Sequence, residues 1–190
     1  MTTAAAGDRD ALAAAVAALL RAAGADLAAK DFADTPDRVA RLWCDAFLGG
    51  NRLDPAVILG HPVEGEAPTE MVVVRDLPFA GMCPHHLLPY IGRATIAYLP
   101  GDKLVGFGRL GELVRCFTAR LTLQERAGND IVDAIMTHLQ ARGAACIMVG
   151  QHACLRIPET RHDAEVVTAS FRGEFRERAE LRDRLMPRAS

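Results

Sequence analysis

Two short clusters of cysteine and histidine are the residues of this chain best suited to chemistry. They are Cys-Pro-His-His at residues 83–86 and His-Ala-Cys at residues 152–154. Zinc binds cysteine sulfur and histidine nitrogen in a tetrahedron, and a catalytic zinc site stops at three protein ligands to leave one position for water. Two thiols and three imidazoles therefore predict a metal site with proton-transferring groups beside it.

The spacing within each cluster separates the predicted metal ligands from the predicted bases. A gap of two residues lets one tight turn present both Cys83 and His86. On a strand, His152 and Cys154 would leave the same face, so this segment can supply one ligand beside a base. We therefore predict Zn²⁺ as the cofactor, bound by Cys83, His86 and Cys154, a ligand set that favours zinc and also accommodates iron or cobalt. His85 and His152 remain for proton transfer.

A Cys-x-x-His pair on its own also fits a cysteine buried in the core, because free cysteine is among the most buried residue types. The presence of a second cluster favours the metal site over this simpler interpretation. The other cysteines stand in apolar runs and are predicted to be core or interface residues: Cys44, Cys116 and Cys146. The other histidines are predicted to be structural or on the surface: His61, His138 and His162.

The composition is that of an ordinary globular protein, with 190 residues, 50% of them apolar and 24% charged. The net charge is −2 without a basic block, so we expect neither nucleic acid nor an anionic membrane as a partner. We also expect no signal peptide and no membrane span. Five cysteines without the spacing of a disulfide scaffold, two of them predicted thiolate ligands, indicate a cytoplasmic protein.

The pattern of apolar residues predicts helices near 8–23, 35–48, 110–121 and 130–142, and strands near 70–75, 94–99, 145–156 and 164–171. Thr35 is predicted to cap the second helix. Strands grouped around two helices, without strand–helix alternation, predict an α+β fold with an antiparallel sheet. The predicted division is an N-terminal helical region at 1–68, a catalytic domain at 69–175 and a helical, largely solvated charged tail at 176–190.

Four further motifs accompany the two clusters: TPDRVA from Thr35, MVVVRD from Met71, GRATIAYLP from Gly92 and QER from Gln124. In order and spacing, the whole set resembles the GTP cyclohydrolase I family over roughly residues 30–173. Members of that family have the tunnelling fold, in which antiparallel sheets with two helices each assemble into a β-barrel toroid. The resemblance implies a homo-oligomer, typically a homodecamer, with active sites at the boundaries between subunits.

The same resemblance implies a hydrolase that opens the guanine imidazole ring of GTP at C8, releases formate and forms 7,8-dihydroneopterin triphosphate. Zinc would lower the pKa of a bound water, and His85 and His152 would move protons. Glu125 would accept hydrogen bonds from the guanine N1–H and exocyclic amine, and Gln124 would help to bind the guanine base. Without the resemblance, residues 124–126 are better interpreted as a charged turn between two helices.

The residues expected to bind the triphosphate depart from the family pattern. Arg38 is kept, and Arg109 replaces a lysine and keeps its charge, so both are predicted to bind substrate. The arginine expected three residues later is Glu112, which would repel phosphate. Residues 158–159 also replace expected basic residues, and Pro84 replaces a glutamate in the metal-binding turn while the ligands remain.

Three hypotheses about function follow. The first is a GTP cyclohydrolase I with a rearranged phosphate pocket. The second is a divergent relative that opens a purine or purine-like ring carrying fewer phosphates or none. The third is a non-catalytic protein of the same fold that keeps zinc for stability, which would need a fourth protein ligand from His85 or His152. The presence of Glu125 beside both histidines favours an enzyme.

Overall fold

The computed structural model describes residues 8–60, 70–157 and 164–185. Within these ranges, a single antiparallel sheet has its strands in chain order: β1 (Val72–Met82), β2 (Pro89–Leu99), β3 (Gly143–His152) and β4 (Val166–Gly173). The helices are α1 (Arg9–Ala22), α2 (Thr35–Leu42), α3 (Pro55–Leu59), α4 (Phe107–Thr118), α5 (Gln124–Leu139), α6 (Ala153–Arg156), α7 (Glu174–Glu177) and α8 (Ala179–Asp183). The predicted α+β class with an antiparallel sheet is confirmed.

Successive residues of β2 and β3 point to opposite faces of the sheet, and both faces are apolar over this stretch. On one face, Ile96 and Met148 pack in the main core beneath α4 and α5. On the other face, Ile147 belongs to a smaller cluster with Phe175 and Leu185. The half of the central strands away from His152 is therefore covered on both sides, whereas towards the His152 end the second face is open and Ile91 is 57% exposed.

The charged tail is helical and largely exposed, as predicted, with seven of the ten residues 176–185 exposed, but a few apolar residues anchor it. Phe175, Leu181 and Leu185 are at most 6% exposed and pack on the sheet. The charged side chains point outward instead and form exposed ion pairs, such as Arg178 with Glu174 at 2.9 Å. The sequence pattern did not predict this anchor because charge dominates the local composition, although three well-spaced apolar residues are enough to anchor two short helices.

Two predicted boundaries differ from the observed ones. β1 continues past the predicted end at Arg75 because a bulge between Val74 and Leu77, with Asp76 at a φ of 57°, absorbs the irregular residues. Thr35 does not cap α2. It is the first helical residue, and its hydroxyl donates to the carbonyl oxygen of Asp31 at 3.3 Å.

Strand register brings both sequence clusters to one end of the sheet. Met82 pairs with Pro89 across the β1–β2 turn, and Tyr90 pairs with His152 at the end of β3. The start of α5 is held at the same end, because the N–H of Thr122 donates to the carbonyl oxygen of Met82 at 3.2 Å. None of the helices in the described ranges is long and apolar enough to cross a membrane.

We predict that Gly92→Ala destabilises the protein strongly, because Gly92 faces Gly150 across the β2–β3 pair. A Cβ there would collide with the carbonyl oxygen of Val149 and lie 2.6 Å from the ring of Phe79. We expect a loss of about 3 kcal/mol, the upper end of overpacking costs. The control is Gly111→Ala within α4, where the nearest atom lies at 3.8 Å and the gain is about 0.5–1 kcal/mol. Equal urea midpoints for the two variants would contradict the close approach of β2 and β3 at Gly92 and Gly150.

Candidate active site

A single helical turn places Cys83 and His86 side by side. The N–H of Leu87 donates to the carbonyl oxygen of Cys83 at 2.9 Å, and the N–H of Cys83 donates to the carbonyl oxygen of Leu88 at 3.0 Å. An i to i+4 hydrogen bond closes one turn of helix, in which residues i and i+3 share a face. Leu87 ends the turn with a φ of 51°, and the chain then enters β2. The sulfur of Cys83 lies 3.9 Å from Nδ1 of His86.

Cys154 reaches the same point from a helix, not from a strand as predicted. β3 ends at His152 and α6 begins at Ala153. The strand ends here because His152 pairs with Tyr90, and the residue before Tyr90 is Pro89, which has no N–H to continue the ladder. The turn into α6 nevertheless brings the ligand atoms of the predicted trio within 4.8 Å of one another: Cys83, His86 and Cys154.

The donor set fits a tetrahedral metal ion. Zn–S bonds of about 2.3 Å and Zn–N bonds of about 2.0 Å place tetrahedral ligand atoms about 3.5–3.8 Å apart, close to the observed sulfur–nitrogen distance. Burial, followed by the neighbouring Cys83, raises the pKa of the Cys154 thiol. A bound cation would reverse this effect by stabilising both thiolates. Among the described residues, neither His85 nor His152 belongs to the ligand group.

His152 is held in place by an aromatic ring and a buried amide. Its imidazole stacks on Tyr90 with ring centroids 4.8 Å apart and an interplanar angle of 7°. The hydroxyl of Tyr90 donates to the carbonyl oxygen of Thr122 at 3.1 Å, and Nε2 of His152 lies 3.0 Å from Oε1 of Gln124. Burial lowers the pKa of His152 and the charge of Glu125 opposes that shift, so the ring is neutral at pH 7 and able to accept a proton.

Gln124 and Glu125 lie in the first turn of α5, so the interpretation of residues 124–126 as a turn between helices is wrong. Gln124 is fully buried, whereas Glu125 is exposed. Burial, then Cys83, then Glu125 raise the pKa of Tyr90, so the Glu125 charge acts on Tyr90 as well as on His152. The carboxylate therefore belongs electrostatically to the same end of the sheet as the ligand trio.

His85 lies beside the ligand trio on its exposed side. Its ring centroid is 6.3 Å from that of His86, with the two rings nearly perpendicular. The side chain is exposed, unlike that of Cys83, which is 6% exposed. Because His85 is exposed beside the candidate metal position, its imidazole can contact a substrate that enters from solvent.

Among the described contacts, neither predicted phosphate-binding arginine forms a hydrogen bond or ion pair with the ligand trio. Arg109 lies in the first turn of α4, whereas the far end of α4 leads to Arg120, whose carbonyl oxygen accepts from the N–H of Met82 at 3.3 Å. Nine residues of helix separate Arg109 from Thr118, roughly 14 Å along the axis. Arg38 is exposed on α2 and its guanidinium pairs with Asp34 at 2.9 Å. The departure predicted at residues 158–159 lies outside the described residues, as do His61 and His162.

Sequence reasoning missed Tyr90, whose ring supports His152. Its only sequence signal was its position just after the Cys-Pro-His-His turn. The predictions for the remaining cysteines are confirmed, because all three are buried: Cys44, Cys116 and Cys146.

A four-stranded antiparallel sheet, two covering helices and a Cys₂His group at the strand ends define an α+β protein with a candidate metal-dependent site. The family model for GTP cyclohydrolase I matches residues 12–190. The chain therefore belongs to the GTP cyclohydrolase I family.

Three similar proteins are all named GTP cyclohydrolase 1. The protein of Ralstonia nicotianae is 40% identical over 169 residues, which cover 88% of this chain and 80% of that protein. The protein of Chromobacterium violaceum is 40% identical over 173 residues, covering 90% and 84%. The protein of Leifsonia xyli is 39% identical over 181 residues, covering 92% and 93%. A solved archaeosine synthase QueF-Like in the apo form, with 13% identity, a TM-score of 0.47 and coverage of 57% and 97%, is too distant to bear on function.

We predict that Cys83→Ser and Cys154→Ser each abolish stoichiometric metal binding, because each removes one of three soft ligands. The matched control is Cys146→Ala, which removes a buried thiol from β3 away from the trio and leaves metal binding intact. His152→Ala also keeps its metal, since His152 lies outside the ligand group. The measurement is elemental analysis of purified protein. A metal-free His152→Ala variant, or a metal-loaded Cys154→Ser variant, would contradict the ligand assignment.

Proposed function

We propose that this chain is a GTP cyclohydrolase I, a zinc hydrolase that opens the guanine imidazole ring at C8. The products are formate and 7,8-dihydroneopterin triphosphate. The observation that carries the proposal is the convergence of Cys83, His86 and Cys154 beside a neutral His152 and the carboxylate of Glu125. Membership of the GTP cyclohydrolase I family supports the same reaction.

We assign Zn²⁺ to the trio of Cys83, His86 and Cys154, because two sulfurs and one imidazole are ligands that zinc favours. When bound, zinc supplies a Lewis acid that brings the pKa of a coordinated water close to neutrality. The buried Cys83 and the more open Cys154 would hold the ion together with His86. His85 lies on the exposed side of the trio, and a substrate would approach from that side.

The side chains around the proposed metal position have different roles in hydrolysis. His152 is neutral and accepts a proton, while His85 exchanges protons with the ring nitrogens from the exposed side. Glu125 accepts hydrogen bonds from the N1–H and exocyclic amine of guanine, a pair of donors that a carboxylate matches. Gln124, which the resemblance assigns to the guanine base, is buried and hydrogen-bonded to His152, so it acts on that histidine.

We further propose that a second copy of the chain completes the substrate site. Arg109 lies in the first turn of α4, at the helix end opposite the one that leads to Arg120 and Met82, and its guanidinium would serve the site of a neighbouring copy. The outer edges of β1 and β4 have no strand partner among the described residues. Joining the sheets of several copies into a closed toroid would pair these edges. A homo-oligomer, a homodecamer by family resemblance, follows from this arrangement.

An ion pair favours the second candidate function, hydrolysis of a purine that carries fewer phosphates. Nη1 of Arg109 lies 2.8 Å from Oε2 of Glu112, both about half exposed. A guanidinium already paired with a carboxylate offers less charge to a triphosphate, and the carboxylate itself repels phosphate. Arg38 is the other arginine predicted to bind the triphosphate, and it is also paired with a carboxylate, that of Asp34.

Cytoplasmic location and domain division are also proposed. Thiols that serve as metal ligands stay reduced in a reducing compartment, and the cysteines of the described residues are thiols rather than disulfides, which supports a cytoplasmic enzyme. We propose residues 69–175 as the catalytic domain, between the helical region at 1–68 and the tail at 176–190.

Formate release separates the two candidate substrates. We expect zinc-loaded protein to release formate from GTP with a higher kcat/KM than from GMP or guanosine. The variant Glu112→Arg is expected to raise kcat/KM for GTP about tenfold, about 1.4 kcal/mol, and to leave guanosine unaffected, because it restores a positive charge. A wild-type preference for guanosine over GTP would remove the first candidate and support the second.

Mixed oligomers test whether two copies share one site. We expect Arg109→Ala and Cys154→Ser proteins each to lose at least about tenfold in activity on GTP. Co-expressed and purified through two different tags, the mixed oligomer is expected to recover about one quarter of wild-type activity, since random neighbours reunite an intact Cys154 and Arg109 that often. Absence of recovery would place both residues in the site of one chain, and a fully active Arg109→Ala protein would remove Arg109 from the site.

A further inference from the structure

We propose that Gln124 is a positioning residue that fixes which ring nitrogen of His152 carries the proton. This inference rests on the proposed function only in taking His152 as a base. The contacts that carry it are those of the Gln124 amide, which lies between the ends of β3 and β4 at the start of α5. This assignment leaves Cys83, His86 and Cys154 as the metal ligands.

The orientation of the Gln124 amide is determined by its partners. Its Nε2 lies 3.2 Å from the carbonyl oxygen of Met148, 3.0 Å from that of Val166 and 3.0 Å from the hydroxyl of Thr168. A carbonyl oxygen accepts hydrogen bonds and cannot donate them, so only the NH₂ group fits this position. Exchanging the two ends would place Oε1 against two carbonyl oxygens. The amide oxygen must therefore face the other way.

The amide oxygen in turn determines the tautomer of His152. Oε1 of Gln124 has no hydrogen, and it lies 3.0 Å from Nε2 of His152. That contact is a hydrogen bond only when Nε2 carries the proton, and in a neutral ring Nδ1 then keeps its lone pair. The stacked ring of Tyr90 holds the imidazole plane. Gln124 and Tyr90 together leave Nδ1 as the proton-accepting atom.

The surroundings of Gln124 are built to hold this amide and exclude other partners. Gln124 is 0% exposed, so its amide is closed to solvent and to direct contact with a substrate. Gly150 on β3 lies directly against the amide, and a Cβ at this position would collide with Oε1 of Gln124. A glycine at residue 150 is therefore needed for the amide to reach both strands, which ties the tautomer of His152 to the packing of the sheet.

The test combines a spectroscopic signature with steady-state kinetics. Zinc-loaded wild-type protein labelled with ¹⁵N at histidine Nδ1 is measured by magic-angle-spinning NMR at a pH where imidazoles are neutral, and His152→Ala identifies the signal. We expect a pyridine-type Nδ1 signal for His152. In Gln124→Met, which removes the acceptor, we expect both tautomers, kcat on GTP reduced by about 10- to 100-fold and KM within about threefold, with zinc retained.

Two further variants distinguish positioning from substrate binding or general damage. In Gln124→Glu, at a pH where this buried carboxyl is protonated, the outer O–H donates towards the carbonyl oxygens of Met148 and Val166 while the inner oxygen still accepts from His152, so we expect the wild-type tautomer and a kcat within about tenfold of wild type. Gln151→Leu, one residue from His152 on the opposite face of β3, is expected to leave the His152 signal and kcat unchanged.

A pyrrole-type Nδ1 signal in the wild type would overturn the proposal, even if Gln124→Met does not fold. An unchanged tautomer and kcat in Gln124→Met, or a raised KM with unchanged kcat, would also overturn it. Failure of the wild type to release formate from any purine would refute the proposed function, while the NMR result would still decide the role of Gln124.

Discussion

The pairing of Tyr90 with His152, where β2 begins and β3 ends, is the contact on which the site depends. It places the Cys-Pro-His-His turn, which precedes β2, beside the residues that follow β3. The same pair stacks the imidazole on the phenol ring, and Tyr90 also bonds to Thr122 just before α5. One register thus fixes the ligand trio, the candidate base and the start of α5. A shift by one residue would send His152 to the opposite face and separate it from Gln124.

Two kinds of information were accessible from the sequence. The ligand trio was predictable because zinc needs particular atoms and because Cys83 and His86 are close enough in the chain for one turn to present both. The α+β class was predictable because β-rich runs and amphipathic helices occur without alternation. Both inferences use local patterns, which a single sequence displays directly.

The parts that escaped prediction depend on distant partners. The strand carrying His152 stops before Cys154 because Pro89 on another strand cannot extend the ladder, a fact that the local sequence does not contain. Gln124 looked like a polar residue of a turn, yet its partners Met148 and Val166 lie 24 and 42 residues away. The ion pair of Arg109 with Glu112 was also missed, although the two were identified as opposed charges. The sequence shows the opposite charges of Arg109 and Glu112, but it does not show that the two side chains pair with each other.

The proposed catalytic site requires two sulfurs and one histidine nitrogen on a single metal ion. Zinc K-edge X-ray absorption of the purified, zinc-loaded protein measures this directly. We expect two sulfur atoms at about 2.3 Å and two nitrogen or oxygen atoms at about 2.0 Å, one from His86 and one from solvent. A first shell without sulfur, or with one sulfur only, would contradict the assignment of Cys83, His86 and Cys154. A second histidine in that shell would contradict the assignment of His152 and His85 as proton-transferring groups.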